Sequence, residues 1–241
     1  MIVLRSFIFN VLFYVNLVLF LVLGSWLFLM PRKAAIRALQ AWAKTSVFLL
    51  RVCCGTRMEV RGIENIPTGP CLIAGKHQSF WETFALLPLF GDPAIVLKKE
   101  LTYIPLFGWF ALKFRMIPVE RSAGSSALRN MVARAKREIA EGRQIIIMPE
   151  GTRRAPDAEP DYKSGAAALY GALKVPCVPF GLNAGLFWPR RKFLRLPGTI
   201  VVKFLPVIEA GLHRQEFQRR LQTAIEDSTR ELVAEGRAKQ I

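Results

Sequence analysis

Between Ser6 and Pro31 the chain carries no charged residue and is dominated by Leu, Phe and Val. Read as a helix, such a run covers a hydrocarbon core of ~30 Å, which takes about 20 residues. A cleaved signal peptide fits poorly, because the apolar stretch is long, only Arg5 precedes it and no small-residue cleavage site follows. From Arg32 to Val52 the pattern changes. Lys33, Arg37, Gln40, Lys44 and Arg51 recur at helical spacing, with Ile36, Leu39, Trp42, Ala43, Val47 and Leu50 filling much of the rest. That is a basic amphipathic helix of the kind that lies in a headgroup plane, joined to the first helix at Pro31. Residues 1–54 therefore read as a membrane anchor and 55–241 as the working domain. Spanning the bilayer and lying within one leaflet both satisfy this pattern.

After residue 54, short apolar runs rich in β-branched residues alternate with longer helical patterns. The runs predict strands at Met58–Val60, Cys71–Ala74, Ala94–Leu97, Met116–Val119, Gln144–Met148, Cys177–Gly181 and Thr199–Phe204. Helices are expected at Trp81–Leu89, Ser125–Glu141, Gly165–Lys174 and His213–Glu235. This alternation predicts an α/β fold: a mixed, largely parallel sheet flanked by helices. Chemistry in such sheets gathers at the carboxyl ends of strands, which directs attention to the residues after Ala74, Leu97, Val119 and Met148.

Composition narrows the picture. The 241 residues suit one domain plus an appendage, and 52% hydrophobic against 22% charged residues excludes intrinsic disorder. Lys and Arg exceed Asp and Glu by 34 − 18 = 16, which suits anionic membrane lipids or an anionic substrate. Nucleic acid is not an expected partner, since no finger or helix-turn-helix spacing and no aromatic stacking platform is present. The basic residues after the apolar run place the domain on the cytoplasmic face, in a bacterium the inner membrane. Four cysteines without a C-x-x-C pair favour buried free thiols in a reducing compartment. With two histidines and no H-E-x-x-H, no metal is expected.

Those histidines focus the search. Directly after the strand ending at Ala74 comes Gly75-Lys76-His77-Gln78-Ser79-Phe80-Trp81-Glu82, where Gly75 permits a sharp exit. A histidine five residues before a carboxylate cannot meet it on one regular helix, where partners sit at i+3 or i+4. They meet only if His77 is in the turn and Glu82 in the first helical turn, which Ser79-x-x-Glu82 favours as a capping box. Two readings stay open: Glu82 as a helix cap beside a loop histidine, or a dyad in which Glu82 orients the His77 base. A second constellation follows another strand: Met148-Pro149-Glu150-Gly151-Thr152-Arg153-Arg154. Gly151 allows close backbone approach, and Thr152 and Arg153 offer a hydroxyl and a forked cation suited to phosphate. Lys98, Lys99 and Arg121 are further cations at strand ends. Phe187-Trp188-Pro189-Arg190-Arg191-Lys192 interleaves aromatics with cations, as at a headgroup interface or in a solvated loop.

At these residues the chain closely resembles the 1-acyl-sn-glycerol-3-phosphate acyltransferases (lysophosphatidic acid acyltransferases) of the glycerolipid acyltransferase superfamily. The family's H-x-x-x-x-D corresponds to His77 through Glu82, and a block ending in an acidic residue and Arg to Ile117-Pro118-Val119-Glu120-Arg121. F-P-E-G-T-R is matched from Met148 through Arg153, and V-P-x-x-P by Val175-Pro176-Cys177-Val178-Pro179. Two positions depart: glutamate stands at 82 for the usual aspartate, and Met148 for phenylalanine.

The resemblance implies that His77 is the general base and Glu82 its orienting partner. It implies direct attack of a lysophospholipid hydroxyl on acyl-CoA or acyl-carrier protein, with no cofactor beyond that donor. Lys99, Arg121, Glu150, Gly151, Thr152 and Arg153 are then expected to bind the acceptor and its phosphate, and Tyr103–Leu112 is a candidate wall for the acyl chain. A lyso-ornithine lipid is an alternative acceptor. Rival readings are a hydrolase using Ser79, which lacks G-x-S-x-G, and a non-catalytic basic binding protein. Oligomeric state is not legible.

Overall fold

The computed structural model describes residues 1–120 and 124–239. Chain order is α1 (Ile2–Leu23), a 3-10 segment (Gly24–Leu29), α2 (Arg32–Cys54), β1 (Thr56–Arg61), β2 (Leu72–Gly75), α3 (Glu82–Ala85) and β3 (Ala94–Lys98). Then come α4 (Phe107–Lys113), β4 (Ile117–Val119), α5 (Gly124–Ala140), β5 (Ile145–Ile147), α6 (Gly165–Leu173), β6 (Cys177–Leu182), α7 (Ala184–Phe187), β7 (Gly198–Phe204) and α8 (Arg214–Ala238). All the expected strands form, in a 7-stranded sheet of order β1-β7-β6-β2-β5-β3-β4. Every pairing is parallel except β6 with β7. Central β2 sets Leu72 against Ile145 of β5 on one side and Cys177 of β6 on the other. Its residues are buried without alternation, as expected for a strand covered on both faces.

Two apolar cores lie on opposite faces of the sheet. One unites α5, α6 and α8 through Met131, Ala135, Leu169, Tyr170, Phe217, Leu221 and Ile225. The other includes Phe9, Phe13, Ile36, Leu39, Trp42, Phe84, Phe180 and Phe204, so α1 and α2 belong to the body of the protein. Here the sequence expectation for α2 is corrected. Its apolar stripe (Ala35, Ile36, Leu39, Trp42, Ala43, Leu50) is buried instead of lying in a headgroup plane. α2 ends at Cys54, where Gly55 takes a left-handed φ of 71°, a conformation that favours glycine.

α1 has two different faces. Phe9 and Phe13 are buried, and their rings meet Trp188, Trp42, Phe80 and Phe84. Ser6 Oγ accepts the Arg195 backbone N–H at 2.9 Å, Asn10 Nδ2 donates to Phe193 O at 3.2 Å, and Asn16 Nδ2 donates to Ser46 Oγ at 3.0 Å. The polar residues inside the apolar run thus fasten the helix to the domain. On its other face Phe7, Val11, Val15, Val18, Leu19, Val22 and Leu23 are exposed. Ile2–Leu29 is long and apolar enough to cross a membrane, and an exposed apolar face of this length makes the chain membrane-associated.

Other local corrections have identifiable causes. The helix expected over Trp81–Leu89 divides into α3 and a 3-10 turn at Leu87–Leu89, because Pro88 has no N–H to continue an α-helix. α4 and α7 stand where no helix was read. Phe187 and Trp188 are 2% and 5% exposed, with Trp188 packed against Phe9 and Phe13 of α1, so neither is presented to headgroups.

A buried clasp joins α2 to the sheet. Arg143, 2% exposed, donates to the carbonyls of Asp92, Pro93 and Phe114 and at 2.5 Å to the Glu138 carboxylate. Arg32 in the first turn of α2 pairs with Asp92 and with Glu141 beyond the end of α5. Arg143→Met leaves several carbonyls and Glu138 Oε2 without a donor, while Glu138 Oε1 keeps Arg115, and should cost about 3 kcal/mol, measured by urea unfolding of the detergent-solubilised protein.

Candidate active site

Parallel strands β2 and β5 are neighbours, so the loops leaving their carboxyl ends emerge side by side. The first carries His77, the second Glu150 to Arg153. Gly75, between β2 and this loop, is required for a different reason from the one its position suggested. A Cβ there would lie 2.3 Å from the Phe180 ring of β6, so close packing and not turn geometry excludes a side chain. At Gly151 the backbone does need glycine, with φ of 66° closing the turn in which its N–H reaches Met148 O at 2.9 Å.

His77 Nδ1 lies 2.9 Å from Glu82 Oε1. The same oxygen accepts the backbone N–H groups of Gln78 and Ser79, each at 2.8 Å. Since Glu82 Oε1 accepts from two amides already, the pairing assigns the proton to Nδ1 and leaves Nε2 as the proton acceptor. Glu82 makes both of the contacts that the two readings of Ser79-x-x-Glu82 require, the Ser79 N–H of a capping box and the His77 ring of a dyad, although α3 itself begins only at Glu82, with Trp81 at its N-cap. Glu82 is 1% exposed, which removes water as a competitor for the imidazole. Ser79 is fully buried, and its Oγ accepts the Trp81 N–H at 3.2 Å.

His77 lines a cavity of about 960 Å³, within the range of small-molecule sites. Its walls are largely apolar: Leu17, Phe20 and Leu21 of α1, Leu39 and Trp42 of α2, and Phe107, Phe110 and Ala111 of α4. The expected wall at Tyr103–Leu112 is thus supplied by α4, whereas Tyr103, Trp109 and Leu112 of that stretch are exposed. The anchor's contribution was not read from the sequence; the position of Leu17, Phe20 and Leu21 on the same face as Phe13 is the signal that pointed to it.

Gly151, Thr152 and Arg153 line the cavity with His77. Arg153 has no ion-pair partner among the described residues. Burial holds its guanidinium below the ordinary range, Glu82 opposes that, and Arg190 and Arg191 push further down. Arg190 Nη1 donates to Arg153 O at 2.8 Å, and Lys98, Arg153 and Lys163 are the cations that line the cavity. Glu150 also lines the cavity, but its side chain is 1% exposed and its carboxylate accepts from Lys76 Nζ at 3.0 Å. Burial pushes that carboxyl up, against the pull of Lys76. Lys99 is not brought to the cavity: it is exposed and bonded to Glu120 at 2.6 Å. Lys98, one residue earlier on β3, lines the cavity instead. Arg121 lies outside the described residues.

With Ser79 committed to the backbone, what this arrangement offers is a proton acceptor facing a greasy cavity with a cationic rim. Such an arrangement suits activation of a hydroxyl on a lipid-like compound. A model of the Acyltransferase family matches residues 57–183, and the chain belongs to that family: it is an acyltransferase. The 1-acyl-sn-glycerol-3-phosphate acyltransferase of Pseudomonas aeruginosa is 38% identical over 183 residues, covering 76% of this chain and 71% of its own length. The lyso-ornithine lipid O-acyltransferase of the same organism is 28% identical over 199 residues, covering 75% and 76%. The crystal structure of the 1-acyl-sn-glycerophosphate (LPA) acyltransferase PlsC from Thermotoga maritima shares the fold, with a TM-score of 0.81 at 21% identity over 96% of this chain and 98% of that one.

Glu82→Gln keeps an acceptor oxygen for the two amides but not the charge that balances an imidazolium. It should fold normally and lose about 10–10³-fold in turnover, whereas Ser79→Ala should keep turnover within a few-fold. Steady-state thiol release, with circular dichroism as the folding check, separates the two.

Proposed function

We propose that the protein transfers a fatty acyl group from acyl-CoA or acyl-carrier protein to the sn-2 hydroxyl of 1-acyl-sn-glycerol-3-phosphate, forming phosphatidic acid. The observation that carries the reading is the His77 ring, held by Glu82 through Nδ1 at the edge of an apolar cavity that Arg153 also lines. The acceptor hydroxyl gives its proton to His77 Nε2 as its oxygen attacks the thioester carbonyl. Collapse of the tetrahedral intermediate breaks the carbon–sulfur bond, and the departing thiolate takes the proton back from the imidazolium. Glu82 stabilises that imidazolium, which confines its own role to orientation and charge.

Arg153, with Thr152 and the Gly151 turn, receives the phosphate of the acceptor. The identity to the Pseudomonas enzyme named for this acceptor supports phosphate over other headgroups. The likeness to a lyso-ornithine lipid O-acyltransferase makes that lipid the second acceptor to test. The apolar walls from α1, α2 and α4 shelter the acyl chain.

The chain works at the bilayer edge with α1 lying along one leaflet. Its contacts with Phe193 and Arg195 at one end and Phe110 beside the other hold it along the domain surface. Five basic residues after the apolar run (Arg32, Lys33, Arg37, Lys44 and Arg51) favour the cytoplasmic face of a bacterial inner membrane. Replacing Leu19 and Leu23, both exposed on α1, by glutamate should weaken co-sedimentation with anionic vesicles at least several-fold. Equal partitioning of variant and parent would contradict this orientation.

Purified protein is offered lysophosphatidic acid, lyso-ornithine lipid and other lyso-lipids with palmitoyl-CoA and palmitoyl-acyl-carrier protein, and products are weighed by mass spectrometry. Phosphatidic acid is the expected main product, with loss of ~10²–10⁴-fold in His77→Ala. A preference for lyso-ornithine lipid replaces the acceptor, and full turnover in His77→Ala overturns the base.

A further inference from the structure

Lys76, immediately before the proposed base, is 1% exposed and is not among the residues lining the cavity. Lysine is almost never buried unless paired. Its Nζ donates to Glu150 Oε1 at 3.0 Å and to Glu226 Oε1 at 2.7 Å. Tyr162 OH donates to the same Glu226 oxygen at 2.9 Å. Burial, and then the charge of Glu226, push the Tyr162 phenol far above its ordinary range, so it remains a donor. Glu226 comes from α8, beyond the segment that matches the family model.

The cluster holds the residue before His77. Lys76, whose peptide leads into His77, is tied through its side chain to the loop after β5 by Glu150 and to α8 by Glu226. That loop also reaches His77 itself, for the Arg154 N–H donates to His77 O at 2.8 Å. His77 is thus gripped on both sides, at its own carbonyl and at the anchored Lys76. Glu150 faces Lys76, Glu226 and, at 3.9 Å, the Arg154 guanidinium. One ammonium stands among two carboxylates. Glu226 keeps 16% of its side chain exposed, so water supports the surplus negative charge there.

Stability alone does not account for such a cluster. Replacing buried ion pairs by apolar side chains of similar volume is often neutral or stabilising, whereas directional charged bonds fix one geometry. We propose that Lys76, Tyr162 and Glu226 are positioning residues, a brace from α8 that fixes the Lys76 peptide immediately before His77 and ties it to the loop that holds the His77 carbonyl, so that Nε2 stays aimed into the cavity. This deepens the reading of His77 as the base and rests on it.

The test uses the full chain in lysophosphatidate–detergent micelles with palmitoyl-CoA. Glu226→Gln should lower kcat by about tenfold or more, and Tyr162→Phe by a few-fold, with KM for both substrates within about twofold of wild type, because misaimed catalytic groups cost rate and not uniform binding. Lys76→Met/Glu226→Gln should be no slower than Lys76→Met alone, since both act through one contact. Glu231→Gln, on the same helix but in an exposed pair with Lys203, should turn over at the wild-type rate. Melting curves report folding, and Tyr162→Phe, which removes one hydroxyl, decides the matter if Glu226→Gln does not fold. Wild-type kcat in Glu226→Gln, a loss carried by KM, or strictly multiplicative losses in the double variant would overturn the brace. His77→Ala run beside them keeps the two readings apart: an active His77→Ala removes the base, whereas an inactive one with a wild-type Glu226→Gln removes the brace alone.

Discussion

One carboxylate oxygen holds the site in shape. Glu82 Oε1 receives the His77 ring and two successive backbone amides, and hydrogen bonds to a charged group are worth about 1.5–3 kcal/mol each. Those amides belong to Gln78 and Ser79, the residues that carry the chain from the β2 exit into α3. The bond that orients the His77 ring is therefore made by an oxygen that also shapes the loop. Glutamate in place of the usual aspartate supplies one more methylene of reach, and the extra length is absorbed in a carboxylate that serves as helix cap and ring partner at once. A group so constrained cannot turn toward a competing donor, and the imidazole inherits its fixity.

A second constraint comes from α1. A helix free in a bilayer would gain nothing from Ser6, Asn10 and Asn16, which are costly in hydrocarbon unless paired. Each finds its partner in the domain or α2, and each thereby turns the same phenylalanine ridge onto the body of the protein. The cavity lies under this ridge, closed by Leu17, Phe20 and Leu21. Lipid attachment and cavity walls are consequently two faces of one helix, and a lipid substrate reaches the apolar interior without crossing a wide stretch of water.

Much of this was legible beforehand. The strands stood out because a sheet covered on both faces needs unbroken apolar runs, and Ile145–Ile147 is nothing else. The two site loops stood out because His77 and Arg153 follow such runs. What stayed hidden depends on tertiary context. The stripe of α2 reads equally well against lipid or protein, and only packing decides. α4 is too short and apolar for periodicity to separate helix from strand. Phe187 and Trp188 look like headgroup aromatics until α1 is laid across them. Glu150 reads as a ligand for substrate because it stands beside residues suited to a phosphate, yet its partner Lys76 sits in the other motif, where no local spacing announces the pair. Lys98 closes β3 and lines the cavity, whereas Lys99 opens the 3-10 turn that follows and bonds Glu120 instead.

The charges around His77 are of both signs. Carboxylates stand close to it: Glu82 in contact with Nδ1, and Glu150 and Glu226 around the single ammonium of the preceding Lys76. Arg153 lines the cavity, with Arg190 and Arg191 near enough to depress its guanidinium. Moving a proton from an alcohol to an imidazole creates a cation where the proton arrives and an anion where it left. In the proposed reaction the cation forms against the carboxylates, and the anion forms in a cavity whose rim is already positive. Fixed charges that match a developing pair before it exists need no reorganisation when it forms, and in a cavity with largely apolar walls they act with little screening. The phosphate of the acceptor neutralises part of that rim while it anchors the substrate. In that proposal substrate binding and transition-state stabilisation draw on the same guanidinium, and Arg153, which has no carboxylate partner among the described residues, is free to supply it.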